Sequence, residues 1–337
     1  MLAVHVDGKE CALKAATTIF AIACAAVLVY AEENPAVLER EGKERLEADL
    51  AAAREAGKPQ WLADVPLEIE ITEDYQQMRR ECDQRIEQGR YREALRMIYA
   101  LLESRDGKIR TWAADRLPQA LVAAKEFAFA MVEFEKRPTT SYSLLVMGRC
   151  RLHYCQFRDA AAAFKKAADL SEASTQKNVT AAQSYWGLGD VFRRTGDHAR
   201  AKAAYQEACN LYKLESELSR KPAWYLITMK TYMQQMELMI DVCGAASVDF
   251  SRLKPGTYRG EAHGYSGPVA VDVTITNGKI EKVEVAAQRE SRPYESLQEV
   301  PAMIVERQSV SVDAVTGATM TSVGVMAAAL RALEQAR

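Results

Sequence analysis

The C-terminal quarter of the chain alternates. Val269, Val271, Val273 and Ile275 fall on one face of an extended segment, and Ala270, Asp272, Thr274 and Thr276 fall on the other, the period of a half-buried strand. Asn277-Gly278 follows, a dipeptide that accepts the left-handed backbone a tight hairpin needs, and Ile280, Val283 and Val285 return along a second strand. The period then becomes helical, over Ser296 to Arg307 and again over Ser322 to Ala336, where Val323, Met326, Ala327, Leu330 and Leu333 form one stripe. Residues 254–337 therefore read as a small α+β domain with an antiparallel sheet. Upstream, residues 67–243 are helical almost throughout, with turn signals at Gln88-Gly89, Asp106-Gly107, Arg137-Pro138 and Thr195-Gly196. Asn34 to Gly57 is rich in Glu, Arg and Ala, with sparse Leu38, Leu46 and Leu50, and reads as a solvated helix or stalk. Pro59 and Pro66 then bracket a short non-helical joint, which makes 32–66 a charged stalk and linker.

The helical region repeats itself. One copy runs Tyr185, Leu188, Gly189, Phe192, Gly196, His198, Ala201, Tyr205, Ala208, and a second runs Leu144, Met147, Gly148, Phe157, Ala160, Phe164, Ala167. A degenerate third has Gly89, Tyr91, Ala94 and Ile98. Small residues let paired helices approach, and aromatic knobs fill the spaces between pairs. The offsets resemble tetratricopeptide repeats, although the first two copies stand 41 residues apart (Gly148 to Gly189) rather than about 34. The extra residues are placed in a longer loop near Ser171 to Asn178. The resemblance implies an all-α array of helical hairpins with a concave, partner-docking surface.

Residues 15–31 carry no charge, follow Lys9 and Lys14, and precede Glu32 and Glu33. They read as a signal peptide cleaved after Ala31 or as an uncleaved membrane anchor, and either places the body of the protein outside the cytoplasm. The remaining composition is that of an ordinary globular chain: of 337 residues, 48% are hydrophobic and 27% charged. Its 44 basic and 46 acidic residues nearly cancel, which argues against a nucleic-acid binder. Two of seven cysteines, Cys11 and Cys24, lie in the leader, and the others are scattered. Cys150 and Cys155, five residues apart on a helix, would have Cα atoms about 8–9 Å apart, too far for an easy bridge, so buried free thiols are expected. No Cys-x-x-Cys-His is present, which excludes covalent c-type haem.

The segment Asp313-Ala314-Val315-Thr316-Gly317-Ala318-Thr319-Met320-Thr321-Ser322 joins the last two helices. Its small residues leave backbone amides uncovered at a helix start, a natural seat for a phosphate, and a neighbouring hydroxyl can bond to that phosphate or be esterified to it. The same residues also suit a plain N-cap through Thr321 or Ser322, and local chemistry does not choose between the two.

The whole C-terminal domain resembles the FMN-binding domain found in the sodium-pumping NADH:quinone reductase, the Rnf complex and the nitrous-oxide reductase regulator. The likeness runs through Gly256-Thr257-Tyr258, Gly260, Gly264-Tyr265-Ser266-Gly267-Pro268, Asn277-Gly278-Lys279-Ile280 and Glu290-Ser291, and it includes a complete Asp-x-x-Ser/Thr-Gly-Ala-Thr signature at 313–319. It implies FMN held covalently by a phosphoester on Thr319, donated from FAD by a flavin transferase that uses Mg²⁺. It further implies a phosphate loop of Thr316, Gly317 and Ala318 beside Thr321, with Asp313 serving loop geometry or the transferase. Gly264, Tyr265, Ser266, Gly267, Glu290 and Tyr294 would border the ring. His263 reads as a surface residue. Where the family often carries Pro-Gly, this chain has Ser291-Arg292-Pro293-Tyr294, which alters the ring surroundings. The expectation is an extracytoplasmic electron-transfer flavoprotein, a redox carrier more than an independent enzyme. Its helical module would dock membrane or extracytoplasmic redox proteins. The alternatives are a repeat scaffold with a non-covalent or structural flavin domain, and a flavin-dependent reductase of a small acceptor.

Overall fold

The computed structural model describes residues 34–67, 69–174, 176–218, 221–244, 252–290, 295–315 and 318–337, with the side chains of 87 and 173 excepted. The apolar leader at 15–31, the segment 291–294 with Arg292 and Tyr294, and Thr316 and Gly317 lie outside those residues. No helix among the described residues is long and apolar enough to cross a membrane.

An all-α N-terminal region precedes a small α+β unit. Helix α1 (Pro35–Ala56) opens with Asn34, whose Oδ1 accepts the Ala36 amide at 3.0 Å, and ends on Gly57 in the left-handed conformation (φ 69°). This helix is no free stalk. Leu46 and Ala53 are buried, and a Cβ on Gly42 would stand 1.8 Å from the Tyr154 carbonyl oxygen. Asp49 accepts the Tyr154 hydroxyl at 2.8 Å, and Arg54 pairs with Glu135 at 3.0 Å. Several of its charged side chains face the hairpins, and Arg45 also donates to the His153 carbonyl at 3.1 Å. The joint that follows contains one 3-10 turn (Gln60–Ala63), which buries Leu62.

Four antiparallel helical hairpins come next: α2 (Tyr75–Glu87) with α3 (Tyr91–Leu101), α4 (Gly107–Ala123) with α5 (Phe127–Glu135), α6 (Ser141–His153) with α7 (Phe157–Asp169), and α8 (Lys177–Arg194) with α9 (His198–Glu217). Their connections are one turn used four times. Gly89, Lys125, Cys155 and Gly196 take positive φ of 74°, 64°, 55° and 79°. The next residue's amide then reaches back to the carbonyl five positions earlier: Arg90 to Arg85 at 2.8 Å, Glu126 to Leu121 at 2.8 Å, Gln156 to Arg151 at 2.9 Å, Asp197 to Phe192 at 2.8 Å. That is the Schellman geometry, in which the left-handed residue redirects the chain into the returning helix. Cys155 thus stands in the turn beyond the helix that holds Cys150, and both are free thiols.

Glycine sets the spacing inside the two best-matched hairpins. A Cβ on Gly189 would lie 2.4 Å from the Tyr205 ring, and one on Gly148 would lie 2.7 Å from the Phe164 ring. Both pairs are sixteen residues apart (205 − 189 and 164 − 148), so the repeat read from sequence is a repeat of packing. Gly187 closes on Phe164 from the next hairpin, at 2.5 Å for its would-be Cβ. A 3-10 turn at Leu170–Ala173 takes up part of the longer connection before α8.

The next described helix, α10 (Ala223–Gly244), leads toward the sheet. Three antiparallel strands follow in the order β1 (Gly256–His263), β2 (Pro268–Thr276), β3 (Lys279–Gln288), with β2 central. Asn277 and Gly278 turn β2 into β3 with φ of 52° and 71°. Helices α11 (Ser296–Arg307) and α12 (Thr319–Gln335) pack on the sheet, α12 against β1 and β2 and α11 against β3. A Cβ on Gly260 would fall 2.0 Å from the Ala328 carbonyl oxygen, so β1 touches α12 backbone to backbone. The other side of α12 meets α10, and almost every residue from Thr321 to Leu333 is buried, not one stripe alone. A single hydrophobic core therefore runs from Tyr205, Tyr212 and Met236 into Val271, Met326 and Ile304.

Candidate functional site

The segment before α12 is held by its own side chains. Ser322 Oγ accepts the Val315 amide at 3.0 Å and donates to the Ala318 carbonyl at 2.9 Å, so it ties the loop to the first helical turn. The helix begins at Thr319, three residues before the start read from the pattern, with Ala318 as N-cap and no side chain capping it among the described residues. The first amides of α12 are therefore left to whatever lies in front of them, at the positive end of the helix dipole. Thr319 stands half-buried at that opening, and two residues on, Thr321 Oγ1 is buried with no hydrogen-bond partner among the described residues. A buried hydroxyl without a partner costs stability unless something completes it. Both features fit a phosphate, which accepts from amides and hydroxyls alike.

Asp313 has a structural role in this arrangement. Its carboxylate lies 3.2 Å from Arg194 Nε, 3.6 Å from Arg193 Nη2 and 3.6 Å from Arg307 Nη1. Burial alone would raise its pKa, but Arg194, Arg193 and Arg307 outweigh that and hold the group below the usual carboxylate range. Two of those arginines end α8, and Arg193 Nη1 also donates to the Val312 carbonyl at 2.8 Å, with a side chain only 4% exposed. The loop is thus clamped by the helical region as well as by its own domain. Lys125 and Glu295 add a peripheral tie at 2.8 Å, and Gln235 Nε2 reaches the His263 carbonyl at 3.4 Å.

The loop between β1 and β2 lies alongside. Glu290 commits both carboxylate oxygens to it, accepting the Tyr265 amide at 2.8 Å and the Ser266 amide at 3.1 Å. Gly264 donates its amide to the Gly267 carbonyl at 2.7 Å. A Cβ at Gly264 would sit 1.9 Å from Glu290 Oε1, and a Cβ at Gly324 would sit 2.9 Å from the Gly264 Cα. Gly264 is thus required by Glu290 and α12, a reason independent of any bound ring. Gly267 lies against Arg289, where a Cβ would fall 2.9 Å from the arginine Cβ. Tyr265 projects into the open at 51% exposure. His263 is exposed, with Nδ1 2.9 Å from the Gly264 carbonyl oxygen.

Thr319, Thr321, Ala318, Asp313 and Tyr265 all line one cleft of about 720 Å³, within the roughly 300–1,000 Å³ usual for small-molecule sites. Its opposite wall belongs to the hairpins, chiefly the inward faces of α4, α6 and α8, where Tyr142, Arg149 and Trp186 stand. Sequence reasoning missed these three residues and the Arg193-Arg194 pair. Basic residues in a last helical turn resemble ordinary dipole partners, and nothing local marks them as reaching a loop more than a hundred residues away.

Residues 264–334 match the family model described as the FMN-binding domain, so the chain carries an FMN-binding domain. Over 87 residues it is also 38% identical to an uncharacterized protein of Treponema pallidum (strain Nichols). That match covers 25% of this chain and spans about a quarter (24%) of the relative's length.

Proposed function

We propose that this protein is an extracytoplasmic electron carrier that holds FMN through a phosphoester on Thr319 and docks redox partners on tetratricopeptide-like hairpins. The observation that carries the reading is the start of α12, where no side chain among the described residues caps the helix, Thr319 lines a cleft, and the Thr321 hydroxyl has no partner among the described residues. The amides of the first turn and Thr321 Oγ1 would hold the phosphate, and Ser322 keeps Ala318 and Val315 in place behind it. In the loading reaction Thr319 supplies the new ester oxygen, the phosphate's bond to the AMP half of FAD breaks, and the hydroxyl proton leaves with AMP. A flavin transferase with Mg²⁺ performs this step outside the cytoplasm, where a freely dissociating cofactor would be lost. The apolar leader at 15–31 supports that location. When bound, the flavin supplies one- and two-electron chemistry, and the protein contributes binding, orientation and electrostatics.

The test is denaturing gel electrophoresis with in-gel flavin fluorescence after co-production with a flavin transferase. Wild type should give a fluorescent band, and Thr319→Ala should give none. A dark wild-type band, when a control substrate is labelled by the same transferase, would overturn covalent attachment.

A further inference from the structure

The cleft that contains Thr319 has two walls, and only one belongs to the FMN-binding domain. The other is made chiefly by α6 and α8. Tyr142 and Arg149 are seven residues apart, two turns along the same face of α6, and Trp186 stands on the facing side of α8. Tyr142 is 44% exposed although it lines the cleft. Trp186 is half-buried and meets the Tyr232 ring edge-on, with centroids 6.2 Å apart, which fixes one side of the indole. Across from them stands Tyr265. These are planar groups on two sides of an open cleft, the arrangement that takes a flat aromatic ligand.

The charges agree. Arg149 is exposed and has no carboxylate partner among the described residues. Arg193 and Arg194 are engaged by Asp313, and Asp190 lies in the same wall, hydrogen-bonded by the Tyr205 hydroxyl at 2.7 Å. His153 is held neutral, its pKa lowered to about 4 by desolvation and then by Arg45 and Arg194. Counting Arg149, Arg193 and Arg194 against Asp190 and Asp313 leaves one surplus positive charge, and Arg149 carries it. An arginine with no carboxylate partner among the described residues, next to rings and opposite the proposed phosphate seat, suits an anionic planar ligand.

We infer that the helical hairpins form the second half of the flavin site, with Tyr142 and Trp186 covering the isoalloxazine ring and Arg149 favouring its reduced, anionic form. This rests on the reading of Thr319 given above and extends it. The hairpins then tune the cofactor directly, in addition to whatever they dock. Arg149 acts as a positioning and electrostatic residue and takes no part in attachment.

The experiment uses the full chain loaded with flavin, as wild type, Arg149→Met, Arg149→Lys and Trp186→Ala, with circular dichroism confirming the fold of each. Flavin loading of all four is read on denaturing gels, and potential and fluorescence are compared per flavin bound. Arg149→Met should lower the midpoint potential, and a tenfold loss in preference for the reduced flavin reads as about 30 mV for a two-electron couple. Arg149→Lys should restore most of that shift, because it keeps the charge. Trp186→Ala should raise native flavin fluorescence several-fold, by removing a quenching ring. Loaded variants with unchanged potential and unchanged fluorescence would overturn the inference and leave the Thr319 reading standing. A wild-type chain that takes no flavin would overturn both. If Trp186→Ala fails to fold, the exposed Arg149 pair of variants decides the question alone.

Discussion

Asp313→Asn tests whether the loop before α12 is clamped by charge. The substitution keeps the shape of the side chain, so no cavity forms and the cost is electrostatic. Three guanidinium groups stand 3.2, 3.6 and 3.6 Å from the carboxylate. At an effective dielectric near 20 each attraction is about 5 kcal/mol before desolvation is counted, and desolvation offsets most of it. None of the three distances reaches the roughly 2.7–2.9 Å of a tight charge-assisted hydrogen bond. Asp313 is 31% exposed, which places the cost below the about 3–5 kcal/mol lost when a fully buried pair is broken. The cost still stands above the about 0–1 kcal/mol of a surface pair, because Arg193 is left buried without its carboxylate. The expected loss is about 2–3 kcal/mol in urea unfolding followed by circular dichroism. A double-mutant cycle with Arg194→Gln should give a coupling of about 1 kcal/mol or more.

The pH dependence provides a second check. Asp313 has a folded-state pKa below its unfolded value of about 3.9, so its contribution is fully present above that value and is lost as pH falls through the lower, folded value. The stability gap between wild type and Asp313→Asn should stay constant from about pH 5 to 8 and close below about pH 4. A loss under about 0.5 kcal/mol at neutral pH, with no coupling to Arg194, would refute the clamp.

Two further outcomes follow from packing. Gly189→Ala places a methyl group 2.4 Å from a Tyr205 ring that is fully buried and anchored to Asp190 by its hydroxyl, so the ring has nowhere to retreat. It should cost about 1–3 kcal/mol, despite alanine's better helix propensity, and lower Tm in a thermal melt. Glu215 is 4% exposed and joins three elements, accepting from Asn178 at 3.0 Å, the Tyr225 hydroxyl at 2.8 Å and Lys221 at 3.0 Å. Glu215→Gln should cost about 1–3 kcal/mol in urea unfolding, and an unchanged midpoint would show that the node contributes nothing to the α8–α10 packing.

What can be read from the chain divides by the distance over which its causes act. The strands and their turn are legible because alternation and Asn277-Gly278 are local, and α11 spans the segment read from its period. Where the cause is tertiary, the pattern misleads or stays silent. The hairpin turns at Lys125 and Cys155 adopt the geometry that Gly89 and Gly196 take freely, because packing of the two helices compensates for a strained residue. They carry no glycine to announce them, so nothing local marks the α4–α5 hairpin as a repeat. Helix α12 shows one apolar stripe, yet Val325, Ala328, Ala329 and Ala332 are buried as well, because α10 covers the side away from the sheet. Its small residues carry this meaning: a helix apolar on every side is enclosed. Its first turn begins before the expected cap, with the Ser322 hydroxyl turned back to Ala318 and no side chain among the described residues capping the opening. That arrangement supports the phosphate seat proposed above. A loop built only to cap a helix would direct its hydroxyls to the helix amides. This one braces itself with Ser322, anchors Asp313 to arginines of another element, and leaves Thr319 and Thr321 facing a cleft.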